Sequence, residues 1–171
     1  INIPNSVTVI DDDAFRSSTL EKIFIPSHVQ HIGAYAFSSC EYLQEVQFSD
    51  NSELSVIDNS AFSSTSIEQI FIPNHVHHIK QNAFKDCTKL QDVSFSENSE
   101  LKTIENGAFS GSSIEKLIIP QNVDSLKDGS LRNIPKLKII EVSPLNKHYA
   151  FIDNSLLVYK EEESNDTYET L

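Results

Sequence analysis

Ile25-Pro26-Ser27-His28-Val29-Gln30-His31-Ile32-Gly33-Ala34-Tyr35-Ala36-Phe37-Ser38-Ser39-Cys40-Glu41-Tyr42-Leu43 decides the fold, because its pattern returns at Ile72-Pro73-Asn74-His75-Val76-His77-His78-Ile79 through Ala83-Phe84, Cys87 and Leu90. Its centre is an Ala-Phe pair. Such pairs stand at Ala14-Phe15, Ala36-Phe37, Ala61-Phe62, Ala83-Phe84 and Ala108-Phe109, and Ser130-Leu131 fills a sixth slot. Their spacing alternates between 22 and 25 residues, giving a 47-residue double unit. A fixed period in this range predicts a solenoid, in which each unit is completed by its neighbours.

Other apolar positions keep the same beat. Before each pair lies a V-x-x-I element: Val7/Ile10, Val29/Ile32, Leu54/Ile57, Val76/Ile79, Leu101/Ile104 and Val123/Leu126. After each pair comes L-x-x-L-x-L, as in Leu20/Ile23/Ile25, Leu43/Val46/Phe48 and Ile67/Ile70/Ile72. Its in-out alternation and its Ile, Val and Phe content predict strands that stack into one continuous parallel sheet. The polar residues that open the Ala-Phe segment, as in Asp58-Asn59-Ser60-Ala61-Phe62, predict a short helical turn. The three extra residues of each long unit fall in turns, so the core columns stay in register. The expectation is an α/β repeat solenoid of six to seven rungs over residues 1–142, closed by a hairpin-like module over 143–171.

Composition narrows the function. A net charge of −12 disfavours nucleic acid and anionic membrane surfaces, which would repel the chain. Only 4 glycines are present and none forms a phosphate-cradling loop. No apolar run is long enough to span a bilayer, so no membrane insertion is expected. The opening Ile1-Asn2-Ile3-Pro4 aligns with Ile23-Phe24-Ile25-Pro26, which suggests a piece of a larger protein. Cys40 and Cys87 share a slot two rungs apart, about 10 Å by strand spacing, whereas a disulfide needs Cα atoms within about 7 Å. Two separate buried thiols are expected, in a small-residue column with Ser18, Thr65 and Ser112.

Candidate sites follow from the outward strand positions. Phe24, Gln47, Phe71, Ser94, Ile118 and Glu141 form one column, and Lys22, Glu45, Gln69, Asp92, Lys116 and Ile139 the column beside it. Large apolar side chains on alternate rungs, rimmed by polar ones, suit a protein-binding face made by Phe24, Phe71 and Ile118 with Lys22, Glu45, Gln47 and Gln69. The competing reading is filler chosen for strand propensity. His28, Glu53, His75 and Glu100 form a second column, readable as a pH-responsive ladder, as a metal site using His75, His77 or His78, or as plain repeat inheritance. The acidic run Glu161–Asp166 reads as a solvated loop, and Asn165-Asp166-Thr167 is a glycosylation sequon. No paired carboxylates, Ser/His/Asp set or Cys/His couple stands out, so neither an enzyme nor a cofactor is expected.

The phrase I-P-x-x-V-x-x-I-x-x-x-A-F-x-x-C-x-x-L-x-x-V, as in Ile25–Val46, resembles the leucine-rich repeat of the BspA, or Treponema pallidum, type. Asn146-Lys147-His148-Tyr149 and Ile152–Lys160 resemble the hairpin that follows such repeats. The resemblance implies a right-handed stack in a cell-surface or secreted protein. It also implies adhesion to host cells or to matrix proteins such as fibronectin. A self-associating surface spacer and a glycan-binding module remain as alternatives. The chain departs from ordinary leucine-rich repeats in having His28, Glu53, His75 and Glu100 where those place a bend-bonding Asn. Its sixth rung, with Ser130-Leu131 and Ile134, reads as a terminal capping unit.

Overall fold

The computed structural model describes the backbone of residues 1–152, 156–160 and 168–170, and the side chains of residues 1–150. The acidic run and the sequon lie outside the described residues. The order begins β1 (Val9–Ile10), β2 (Lys22–Ile25), β3 (His31–Ile32), β4 (Glu45–Phe48), β5 (Val56–Ile57), β6 (Gln69–Ile72), β7 (His78–Ile79) and β8 (Asp92–Phe95). It continues with β9 (Thr103–Ile104), β10 (Lys116–Ile119), β11 (Ser125–Leu126), β12 (Ile139–Val142), β13 (Tyr149–Ile152), β14 (Leu156–Lys160) and β15 (Tyr168–Thr170). Six rungs result, each holding one short and one long strand. After β12 the pairing changes from parallel to antiparallel, and the expected hairpin gains a third strand in the order β13-β14-β15.

Two features differ from the sequence expectation. The continuous six-stranded parallel sheet is built from the two-residue strands, β1-β3-β5-β7-β9-β11. The long strands pair only within each double unit, as β2-β4, β6-β8 and β10-β12. Among the described residues no ladder joins β4 to β6 or β8 to β10. The long-strand layer therefore carries two seams.

The Ala-Phe segments form chains of turns instead of helices. The amides of Asp13, Phe15 and Ser17 donate to Ala34, Ala36 and Ser38 of the next rung, at 2.9, 2.7 and 2.8 Å. The intervening amides of Ala14, Arg16 and Ser18 bond back within their own turn. A helix needs every amide to point along one axis, so this alternation excludes it. It also requires left-handed backbone on either side of each pair: Asp13, Ser17, Tyr35, Ser39, Ser60, Ser64, Asn82 and Asp86 have φ between 54 and 59°, with Gly107 and Gly111 at 64 and 76°. Gly, Asn and Asp take that conformation most readily, and inter-rung bonds from their amides hold Ser17, Tyr35, Ser39, Ser60 and Ser64 in it.

Between the ladders the core columns close. Phe15, Phe37, Phe62, Phe84 and Phe109 stack nearly parallel, with ring centroids 5.1, 5.1, 5.4 and 5.5 Å apart. The last four are fully buried. The amides of Phe15, Phe37, Phe62 and Phe84 donate to the Ala carbonyl of the next rung at 2.7–2.8 Å, which joins the columns rung to rung. Each fully buried column member contributes about 1.5–3 kcal/mol of burial free energy.

Candidate functional site

The long strands alternate as their sequence dictates. In β2, β6 and β10 the second and fourth residues are buried and the first and third exposed. Phe24, Phe71 and Ile118 are therefore turned to solvent, 48%, 51% and 44% exposed. In register they face Gln47, Ser94 and Glu141 of the paired strand, so bulky apolar residues recur on every second rung. Ile139, at the start of β12 and opposite Lys116, is 49% exposed and adds an apolar side chain in the column beside the stripe.

Lys22 pairs with Glu45 at 2.6 Å across β2 and β4, and Gln47 donates to the same carboxylate. The hydrogen bond and charge of Lys22 hold Glu45 below its ordinary pKa, and those of Glu45 raise Lys22 above its own. Gln69 takes the corresponding place on β6, opposite Asp92. A shallow groove of about 510 Å³ crosses the β4/β6 seam, touching Lys22, Glu45, Gln47, Gln69 and Phe71. Five of the seven residues expected to bind thus line this groove, Phe24 is exposed on the same strand face, and Ile118 lines a second groove of about 300 Å³ at the β8/β10 seam. The seams, which no apolar pattern announces, are what hollow this face.

The histidines lie on a different edge. His28 Nδ1 is 3.3 Å from Glu53, and His75 Nδ1 and His77 Nε2 are 3.2 and 3.4 Å from the same Glu100 oxygen. The column is two clusters, not an unbroken ladder. His31 and Lys80 share Asp58 at 3.1 and 3.0 Å. Burial opposes ionisation of Asp58, but the Asn59 amide, Lys80 and His31 outweigh it and lower its pKa. Among the described residues no three His, Cys, Asp or Glu groups are arranged to hold a metal ion.

Stacked rungs, a parallel ladder and an exposed apolar stripe define a leucine-rich-repeat solenoid. The chain belongs to the BspA-type leucine-rich-repeat family, whose model matches residues 1–90 and 55–164 in six copies. Among solved structures it is similar to the pneumococcal vaccine antigen PcpA, with 27% identity and a TM-score of 0.80 over 90% of this chain and 40% of that one. A leucine-rich cell surface protein of Faecalibacterium prausnitzii shares the fold at 24% identity and a TM-score of 0.66, over 91% of this chain and 47% of that one. The leucine-rich repeat protein of T. pallidum shares it at 23% identity and a TM-score of 0.51, over 78% and 51%. The chain thus spans about 40% to half the length of these structures. No curated protein matches it. Among the described residues no helix is long and apolar enough to cross a membrane.

Proposed function

We propose that the chain is a non-enzymatic protein-binding module of a cell-surface or secreted protein, and that its ligand face is the outward face of the long strands. One observation carries this: Phe24, Phe71 and Ile118 are each about half exposed on one strand face, where an uncovered apolar side chain loses its burial free energy. A partner that covers them regains it. Lys22, Glu45, Gln47 and Gln69 supply the polar rim. We assign residues 1–142 to the repeat stack and 143–171 to a closing module, in line with the change from parallel to antiparallel pairing after Val142. The finer assignment is adhesion to host cells or to matrix proteins such as fibronectin, supported by the family's surface proteins.

The test is binding of the 171-residue chain to immobilised fibronectin and a panel of matrix proteins, beside a Phe24→Ser, Phe71→Ser, Ile118→Ser variant checked by circular dichroism. Saturable binding lost in the folded variant supports the module and its face. Binding retained by the variant moves the ligand to another face. No binding by either protein sinks the adhesive role.

A further inference from the structure

The three paired units of the long-strand face differ in how their charges are met. In the first unit Lys22 pairs with Glu45 at 2.6 Å. In the third, Lys116 pairs with Glu141 at 2.7 Å and Lys138 with Glu115 at 3.0 Å. The register puts Gln69 of the central unit where Lys22 and Lys116 stand, and Asp92 where Glu45 stands. One residue earlier on each strand, Glu68 takes the place of Glu115 and Gln91 that of Lys138. The central unit therefore keeps two carboxylates and has neither lysine of the third unit, whereas the first unit, with Gln44 near Glu21, lacks only one of them. Among the described residues no cation pairs with Glu68 or Asp92, and both are exposed.

Beside them stands Phe71, the most exposed aromatic of the stripe, in the groove that also holds Glu68 and Asp92. Aromatic faces attract cations, arginine above all, and a guanidinium can bond carboxylate oxygens with its planar fork. The net charge of −12 adds attraction at longer range. We propose that the central unit docks a basic segment of a partner protein, an arginine entering where the repeat lacks its lysines and an adjacent apolar side chain covering Phe71. This rests on the assignment of the long-strand face as the ligand face and adds the chemistry of what that face selects.

The experiment restores the missing lysines. Fluorescence anisotropy with a labelled octapeptide of alternating arginine and leucine is measured against the parent chain, a Gln69→Lys, Gln91→Lys variant, and a Gln81→Lys, Thr88→Lys control of equal charge on another surface. Expected is saturable binding, weakened about tenfold by the first variant and about twofold or less by the control, the loss of one good interfacial anchor. Equal weakening by both variants would reduce the effect to diffuse charge and overturn the proposal, as would no peptide binding or equal binding of a glutamate-for-arginine peptide. Matrix-protein binding that needs Phe24, Phe71 and Ile118 but ignores Gln69→Lys, Gln91→Lys would leave the face standing and remove only its preference for a basic partner.

Discussion

The hydroxyl of Thr65 lies 3.2 Å from the sulfur of Cys87, whose thiol donates to the Phe62 carbonyl at 3.1 Å. Ser18 and Cys40 repeat this one unit earlier, at 3.2 Å, with the Cys40 thiol 3.0 Å from the Phe15 carbonyl. In the third unit Ser112 takes the hydroxyl slot, but Ile134 stands where the next cysteine would be. The Ser112 hydroxyl is fully buried without a hydrogen-bond partner among the described residues. Deleting an unsatisfied buried hydroxyl removes a desolvation cost, while deleting a bonded one loses a bond. Ser112→Ala should stabilise the chain by about 1 kcal/mol, raising its melting temperature by about 2–4 °C, whereas Thr65→Ala should lower it. Thermal unfolding followed by circular dichroism decides; a lower melting temperature for Ser112→Ala would refute the orphaned hydroxyl.

The same column has a pH signature. Burial, ahead of all other influences, pushes the Cys87 thiol from 9.0 to about 11. A folded-state pKa above the unfolded one gives stability that is complete below the unfolded value and lost as pH rises through the folded value. The stability difference between the parent chain and Cys87→Ala should therefore shrink as pH rises from 9 to about 11. Urea unfolding across that window tests it, and a difference flat in pH counts against it.

The phenylalanine stack sets the cost of truncation. Phe62 is fully buried between Phe37 and Phe84, with centroids 5.1 and 5.4 Å away, and Leu131 is only half-buried in the last rung. Phe62→Ala should cost about 3–5 kcal/mol, and Leu131→Ala distinctly less because less apolar surface is lost. Denaturant midpoints at unchanged slope compare them. Equal losses would contradict a degenerate, capping sixth rung.

Asn146 ties the tail to the stack. Its side-chain amide donates to the carbonyls of Pro120 and Val123 at 2.7 and 3.0 Å, and its oxygen accepts from the amides of His148 and Tyr149, both at 2.8 Å. It sits at the turn position that Ser52 and Ser99 fill in the earlier long units, and like them it is buried. Asn146→Ala removes four hydrogen bonds to backbone groups and should cost about 3 kcal/mol. Hydrogen exchange should accelerate first at Tyr149 and at Leu126, whose amide donates to the Tyr149 hydroxyl at 2.9 Å. Unchanged protection there would show that Asn146 does not carry the junction.

By itself the sequence determined the solenoid, its period, its core columns and the outward side chains of the long strands. These are local consequences of alternation and repeat, since a buried Ile or Phe at a fixed interval has only one place to go. The Asp, Ser, Asn and Gly residues around each Ala-Phe pair were equally visible, but those types serve helix starts and left-handed turns alike. Only the tertiary structure decided between the two, because amides 13, 15 and 17 find acceptors in the neighbouring rung and not along their own segment. The seams of the long-strand layer, the orphaned Ser112 hydroxyl and the two carboxylates without lysines arise in the same way. Each depends on what the adjacent rung places opposite a residue, at a distance of about 5 Å in space but more than twenty residues along the chain.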